Sequence, residues 1–84
     1  MTEEKVKKGT ELLHRLNNLK EDRKVWEKCV ILHNIKLADK YEYINANNIY
    51  CVRCNYVNFN KLKEDTLANI DRMIKEIQEE FDRL

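Results

Sequence analysis

Residues 67–84 read LANIDRMIKEIQEEFDRL, and apolar side chains recur through them at alternating spacings of three and four. Such spacing is typical of a heptad seam, in which one side of an α-helix is apolar and the other sides carry charge. The seam consists of Leu67, Ile70, Ile74, Ile77, Phe81 and Leu84. Because a single helix cannot bury its own stripe, we predict that the seam is an interface with the first helix, a second copy or another protein.

A long helix is also predicted for the N-terminal part of the chain, over about residues 3–27. Thr2 is a good N-cap, and the two glutamates that follow it suit the positive start of a helix. The apolar stripe of this helix consists of Val6, Leu12, Leu13, Leu16 and Leu19. The closing helix is predicted over about residues 59–84, because Asn58 is a second good N-cap and no helix breaker follows it.

The chain between the helices admits two interpretations over residues 28–37. A period of two, typical of a strand, puts on one face Cys29, Ile31, His33, Ile35 and Leu37. A helical period, which would extend the first helix, groups Trp26, Cys29, Val30, His33 and Leu37. The β-branched content favours the strand, and residues 49–57 are rich in β-forming side chains. We therefore expect an antiparallel hairpin over about residues 29–57.

These elements predict the α+β class, with two long antiparallel helices flanking a central β-hairpin and a mostly helical chain. The 84 residues form one small domain, residues 1–84, with no room for a second core. A core of this size is marginal on its own, and self-association is a usual remedy. We therefore expect the chain to bind itself as a dimer or a larger oligomer.

Charge and hydropathy exclude several broad classes of protein. The net charge is +1 with acids and bases interspersed, so no general nucleic-acid binding is expected. No apolar run approaches the roughly 20 residues of a membrane span, so no membrane partner is expected. The start of the chain lacks the layout of a secretory signal, which predicts a cytoplasmic protein with free thiols on its three cysteines.

Aromatic side chains gather in the middle of the chain, where six of the seven fall within residues 26–59. Aromatic residues with polar tips, together with an arginine and amides, are typical of interfaces and of pockets for anionic ligands. The predicted ligand-binding residues are Trp26, Tyr50, Arg53, Asn55 and Tyr56. Arg53 could hold a phosphate or carboxylate with two hydrogen bonds, although simple packing and solvation also explain each of these residues.

A metal site is the less favoured interpretation of the cysteines and histidines. Cys29, His33, Cys51 and Cys54 together would make a legitimate zinc set. On a regular strand, however, Cys51 and Cys54 point to opposite faces, so we expect buried free cysteines, no metal and no cofactor. Neither histidine has a nucleophile or acid at a meaningful spacing, so we expect no enzyme activity.

The closing stretch, from Phe59 to Lys63 and from Glu79 to Leu84, resembles that of small uncharacterised proteins of phages and mobile elements. The resemblance covers mostly the closing helix and carries no functional residue across. It implies a counter-defence protein that sequesters a nucleotide-type signal or a host defence protein, in the host cytoplasm. Our expectation is therefore a non-enzymatic, homo-oligomeric binding protein. The alternative is a structural or scaffold module that docks through the C-terminal seam.

Overall fold

The computed structural model describes residues 2–42 and 45–84. Helix α1 spans Glu3–Lys28 and helix α2 spans Phe59–Asp82. Between them lie strand β1 (Ile35–Ala38), strand β2 (Ile49–Val52) and a 3-10 helix (Cys54–Tyr56). The predicted α+β order of helix, hairpin and helix is confirmed, and most of the chain is helical. Tyr43, a member of the central aromatic group, lies outside the described residues.

Both helices begin where the sequence places their caps. The Thr2 hydroxyl accepts a hydrogen bond from the Lys5 amide at 3.3 Å, and the Asn58 side-chain oxygen accepts one from the Lys61 amide at 3.2 Å. These bonds satisfy amide groups that the first turn of a helix otherwise leaves without a partner. Helix α1 ends at Lys28 because Cys29 adopts extended backbone, with φ −81° and ψ 142°.

The two helices pack against each other in antiparallel orientation. Lys8 bonds to Glu80 at one end of the pair, and Trp26 stacks on Phe59 at the other. The side of α1 that is buried or half-buried consists of Gly9, Leu12, Leu16, Leu19, Arg23 and Trp26. These positions alternate in spacings of three and four and so form a second heptad seam. Val6 and Leu13, which the predicted stripe included, remain about half exposed.

The hairpin is antiparallel, but its strands are shorter than predicted. Ile35 pairs with Val52, and Leu37 pairs with Tyr50. Residues 29–34 form neither strand nor helix, which corrects both interpretations of that segment. In this segment the Leu32 carbonyl accepts a hydrogen bond from the Cys54 thiol at 2.8 Å, so its partner is a side chain rather than a neighbouring strand. Strand β2 ends at Val52, and the 3-10 helix that begins at Cys54 follows one residue later.

The molecule is thin and elongated, measuring 51 × 31 × 14 Å. Its radius of gyration is 17.0 Å, against roughly 12 Å for a globular domain of this length. The hairpin lies at one end of the helix pair and makes almost no contact with it. Among the described residues, the buried apolar core consists of Leu12, Ile70 and Ile77. An α-helix with its side chains is about 10–12 Å across. The thickness of 14 Å therefore corresponds to a single layer of helices, and both broad faces of that layer meet solvent.

Candidate functional site

Trp26 joins the two helices where they meet the hairpin. Its ring stacks on that of Phe59, with centroids 6.2 Å apart and planes 15° from parallel. Aromatic pairs at this separation stabilise a fold beyond the area that they bury. Trp26, predicted as a ligand-binding residue, is half-buried and has this structural partner. A ligand would therefore meet only the part of the ring that the stack leaves open.

Lys63, which the sequence analysis did not single out, closes the C-terminal end of α1. Its ammonium donates to the Glu27 carbonyl at 2.8 Å and to the Cys29 carbonyl at 2.9 Å. The last carbonyls of a helix have no intrahelical donor, and a cation there also suits the negative end of the helix. Its position in the sequence was the one signal available, because residue 63 lies four positions after Phe59 and so falls on the same side of α2 as the seam.

Replacement of Lys63 by methionine should lower the free energy of unfolding by about 1–2 kcal/mol, since two charge-assisted bonds are lost while the apolar stem is kept. Lys61→Met is the matched control, because Lys61 is exposed and its ammonium lies 4.0 Å from Asp65 within the same helix. Urea unfolding followed by circular dichroism measures both variants. An equal loss in the two variants would show that the carbonyl contacts of Lys63 contribute nothing.

Tyr50 belongs to strand β2 of the hairpin, three residues before Arg53. It stands opposite Leu37 across the strands, and its hydroxyl donates to the Asp39 carboxylate at 3.1 Å. About half of the side chain is exposed. The bond joins the two arms of the hairpin, so Tyr50 has a structural partner as Trp26 does.

Arg53, Asn55 and Tyr56 lie together at the turn that leads from β2 to α2. Arg53 caps the 3-10 helix with extended backbone, and Asn55 and Tyr56 are in that helix. All three side chains are exposed, Tyr56 to 80%. Within residues 2–42 and 45–84, the Arg53 guanidinium makes no ion pair or hydrogen bond. This turn therefore presents a cation, an amide and an aromatic ring to solvent from one short segment.

A shallow groove of about 480 Å³ runs beside this turn. Its lining consists of Val30, Ile31, Leu32, Cys54, Asn55, Val57, Asn58, Phe59 and Asn60. The structure thus places Asn55 on the same groove as Phe59, the stacking partner of Trp26. Arg53, Tyr56 and Tyr50 do not line the groove, so the five predicted residues do not share one enclosed pocket. Their role in binding a ligand stays a prediction.

The predicted zinc alternative finds no support in the geometry. In the part of the chain that the structure describes, no group of three His, Cys, Asp or Glu side chains could hold a metal ion. Cys51 is exposed on β2, whereas the Cys54 thiol is bonded to the Leu32 carbonyl. Cys29 and Cys54 are half-buried free thiols rather than fully buried ones, and Cys51 is not buried at all.

Among the described residues, the shifts in pKa come from an ion pair between the helices that joins half-buried Arg23 to exposed Asp71. The Arg23 guanidinium bonds to the Asp71 carboxylate at 2.6 Å and to Glu27 at 3.0 Å. The hydrogen bond from Arg23 holds the pKa of Asp71 below its usual value, and Asp71 in turn raises the pKa of Arg23. The small stabilisation from this pair is therefore present above about pH 4 and is lost as the pH falls through the pKa of folded Asp71.

The predicted interface on α2 is partly used within the chain. Ile70 and Ile77 are buried against α1, and Leu67 and Ile74 are half-buried. Phe81 and Leu84, the last two members of the seam, remain largely exposed at the end of the pair opposite the hairpin. They border an apolar groove of about 390 Å³, here called the open-end groove. Its lining consists of Lys5, Val6, Gly9, Thr10, Leu13, Phe81 and Leu84. That the seam contacts a partner stays a prediction, and Phe81 and Leu84 are the members left free for it.

Comparison with known proteins adds no family to this description. No protein-family model matches the chain, and no curated protein or solved structure matches it either. The resemblance of the closing helix to phage proteins therefore stays a prediction. Across residues 2–42 and 45–84, neither helix has the length and apolar character required to cross a bilayer.

Proposed function

We propose that this chain is a non-enzymatic binding protein that works as a homo-oligomer. The observation that carries the proposal is the amount of surface left uncovered. The chain exposes 7489 Å², whereas a folded monomer of 10.2 kDa exposes roughly 5,300 Å². The excess of about 2,200 Å² is larger than the roughly 800 Å² that each partner buries in a standard protein interface.

The character of the exposed surface supports the same proposal. Large apolar side chains lie open on α1, on the hairpin and on α2. A two-stranded ribbon is marginally stable alone and gains from pairing or packing. Contact between copies would cover these faces and enlarge a core that has only three buried apolar residues among those described.

The molecule that the oligomer captures is proposed to bind at the exposed turn of Arg53, Asn55 and Tyr56. A guanidinium with no ion pair among the described residues can hold a phosphate or carboxylate through two bonds, and the exposed tyrosine ring three positions further along the chain can stack on a base. These chemistries favour a small anionic ligand of nucleotide type. A nucleotide-type signal is also one of the targets implied by the resemblance to phage proteins.

Native mass spectrometry of the gently purified protein tests this proposal. We expect a multiple of the chain mass, with an added few hundred daltons for each ligand site. Arg53→Ala and Tyr56→Ala should each lose the added mass and keep the oligomer. Arg72→Ala is the control, because Arg72 is an exposed arginine on α2 with only a 3.9 Å contact to Glu76.

The outcomes separate the two parts of the proposal. A single chain at every concentration would contradict the homo-oligomer. An oligomer without added mass would contradict the small anionic ligand and leave a protein as the captured partner. Added mass that survives both the Arg53 and the Tyr56 substitution would place the ligand elsewhere on the chain.

A further inference from the structure

We propose that the open-end groove is the contact between two copies of this chain, related by a two-fold axis parallel to the helices. The assignment rests on the proposed function, because it specifies a surface through which the oligomer forms. In this arrangement α1 of each copy lies antiparallel on α2 of the other, and both hairpins lie at the same end. The four helices would then form one bundle around a shared apolar layer.

The apolar lining of the groove is the first observation behind this assignment. Val6, Leu13, Phe81 and Leu84 are 42–52% exposed, although all four are large apolar side chains. They lie on one broad face of the helix pair, since the same groove touches all of them. A contiguous apolar patch of this kind on a small protein marks an interaction surface.

Gly9 shapes the floor of the groove. Its position lies on the α1 seam, where the lack of a side chain lets Phe81 and Leu84 of α2 come close to the α1 backbone. A Cβ atom there would lie 3.5 Å from the Leu84 Cδ1 atom and 3.7 Å from the Phe81 Cε2 atom. These are ordinary contact distances, so the Leu84 and Phe81 side chains already pack over the glycine and form an apolar floor on which a side chain of a second copy can rest.

The charged side chains beside the open-end groove indicate that a second copy of the chain occupies it. Lys5 borders the groove on the α1 side, and Asp82 lines the adjoining depression on the α2 side, next to Leu13 and Phe81. Neither Lys5 nor Asp82 takes part in an ion pair with any other described residue. A two-fold axis parallel to the helices brings Lys5 of each copy to the partner's Asp82, so one patch forms two ion pairs with itself.

The same complementarity continues along the face. Lys20 and Lys24 follow Leu13 at helical spacing and continue its side of α1. Glu64 lies five helical turns before Asp82 on the same side of α2, with Asp71 and Lys75 between them. With the axis parallel to the helices, basic α1 meets acidic α2 at both ends of the face. An axis perpendicular to the helices would instead lay α1 on α1 and bring lysines together.

Charge reversal tests the assignment by sedimentation equilibrium. Lys5→Asp alone creates two contacts between carboxylates in a dimer, and Asp82→Lys alone creates two contacts between ammonium groups. We expect each variant to self-associate about tenfold or more weakly than the wild type. An equimolar mixture of the two variants restores opposite charges at both contacts, so the mixed dimer should form within about threefold of wild-type affinity.

Both reversals are compatible with the fold of the single chain. A carboxylate near the start of α1 and an ammonium at the end of α2 each suit the helix dipole, so loss of association will not reflect unfolding. Circular dichroism checks that point directly. Lys7→Asp is the matched control, because Lys7 lies two positions from Lys5 and does not line the groove.

The results distinguish this inference from the proposed function. Weak single variants and a restored mixture establish the contact. A wild-type oligomer that both variants retain, or a mixture no tighter than its components, would overturn the groove contact and leave the homo-oligomer standing. A wild-type chain that stays monomeric would overturn both.

Discussion

Replacement of Leu12 by alanine is expected to lower the free energy of unfolding by about 3 kcal/mol. Leu12 is 2% exposed and is one of three buried apolar residues among those described. Truncation removes the free energy that is gained by burying the leucine side chain. It also leaves a cavity, which the neighbouring side chains of only two helices cannot close by relaxing. Because small domains are only marginally stable, this loss should remove most of the cooperative urea transition, followed by circular dichroism at fixed concentration.

Leu62→Ala is the matched control for Leu12→Ala. It deletes the same atoms from a helix position that is 36% exposed and does not line the open-end groove. We expect a loss of about 1 kcal/mol or less from this change. If Leu12→Ala proves no more destabilising than Leu62→Ala, the assignment of the core to the α1 and α2 seams is wrong.

The second large effect is expected from Ile77→Asp, which should leave the chain mostly unfolded at 25 °C. Ile77 is 3% exposed, so a carboxylate there either remains charged in an apolar layer or takes up a proton at a raised pKa. Either state costs several kcal/mol, which is comparable with the whole stability of a small domain. Circular dichroism at pH 7 should show a large loss of helical signal.

Met73→Asp provides the comparison for Ile77→Asp. Met73 lies one turn earlier on the same helix and is 39% exposed, so the new carboxylate can remain hydrated. This variant should stay helical and unfold cooperatively. A folded Ile77→Asp chain would mean that the middle of the α2 seam is not covered by α1.

Local signals were enough to predict the helices and their starts. Thr2 and Asn58 form side-chain caps that the sequence itself specifies, and the α2 seam has an uninterrupted heptad spacing. The apolar stripe on α1 was harder to predict, because Leu12 and Leu13 are adjacent and periodicity alone does not indicate which of them is buried. The register against α2 decides, burying Leu12 and leaving Leu13 at the open-end groove.

The conformation of the central segment could not be predicted from local sequence signals. The apolar run from Cys29 to Leu32 has strand composition, yet the Cys54 thiol and the Lys63 ammonium hold its backbone from distant parts of the chain. Trp26 has an aromatic partner in Phe59, which is 33 positions away. Contacts of this kind depend on how the helices are docked, so composition identified the aromatic group without predicting which members are exposed.

Sedimentation equilibrium of the wild-type chain over a hundredfold range of concentration tests the central claim most directly. The excess exposed surface predicts a mass of two or more chains at micromolar concentration, with dissociation on dilution accompanied by loss of thermal stability. A constant mass of 10.2 kDa, with full helical signal and a melting temperature independent of concentration, would contradict the claim that this protein works as a homo-oligomer.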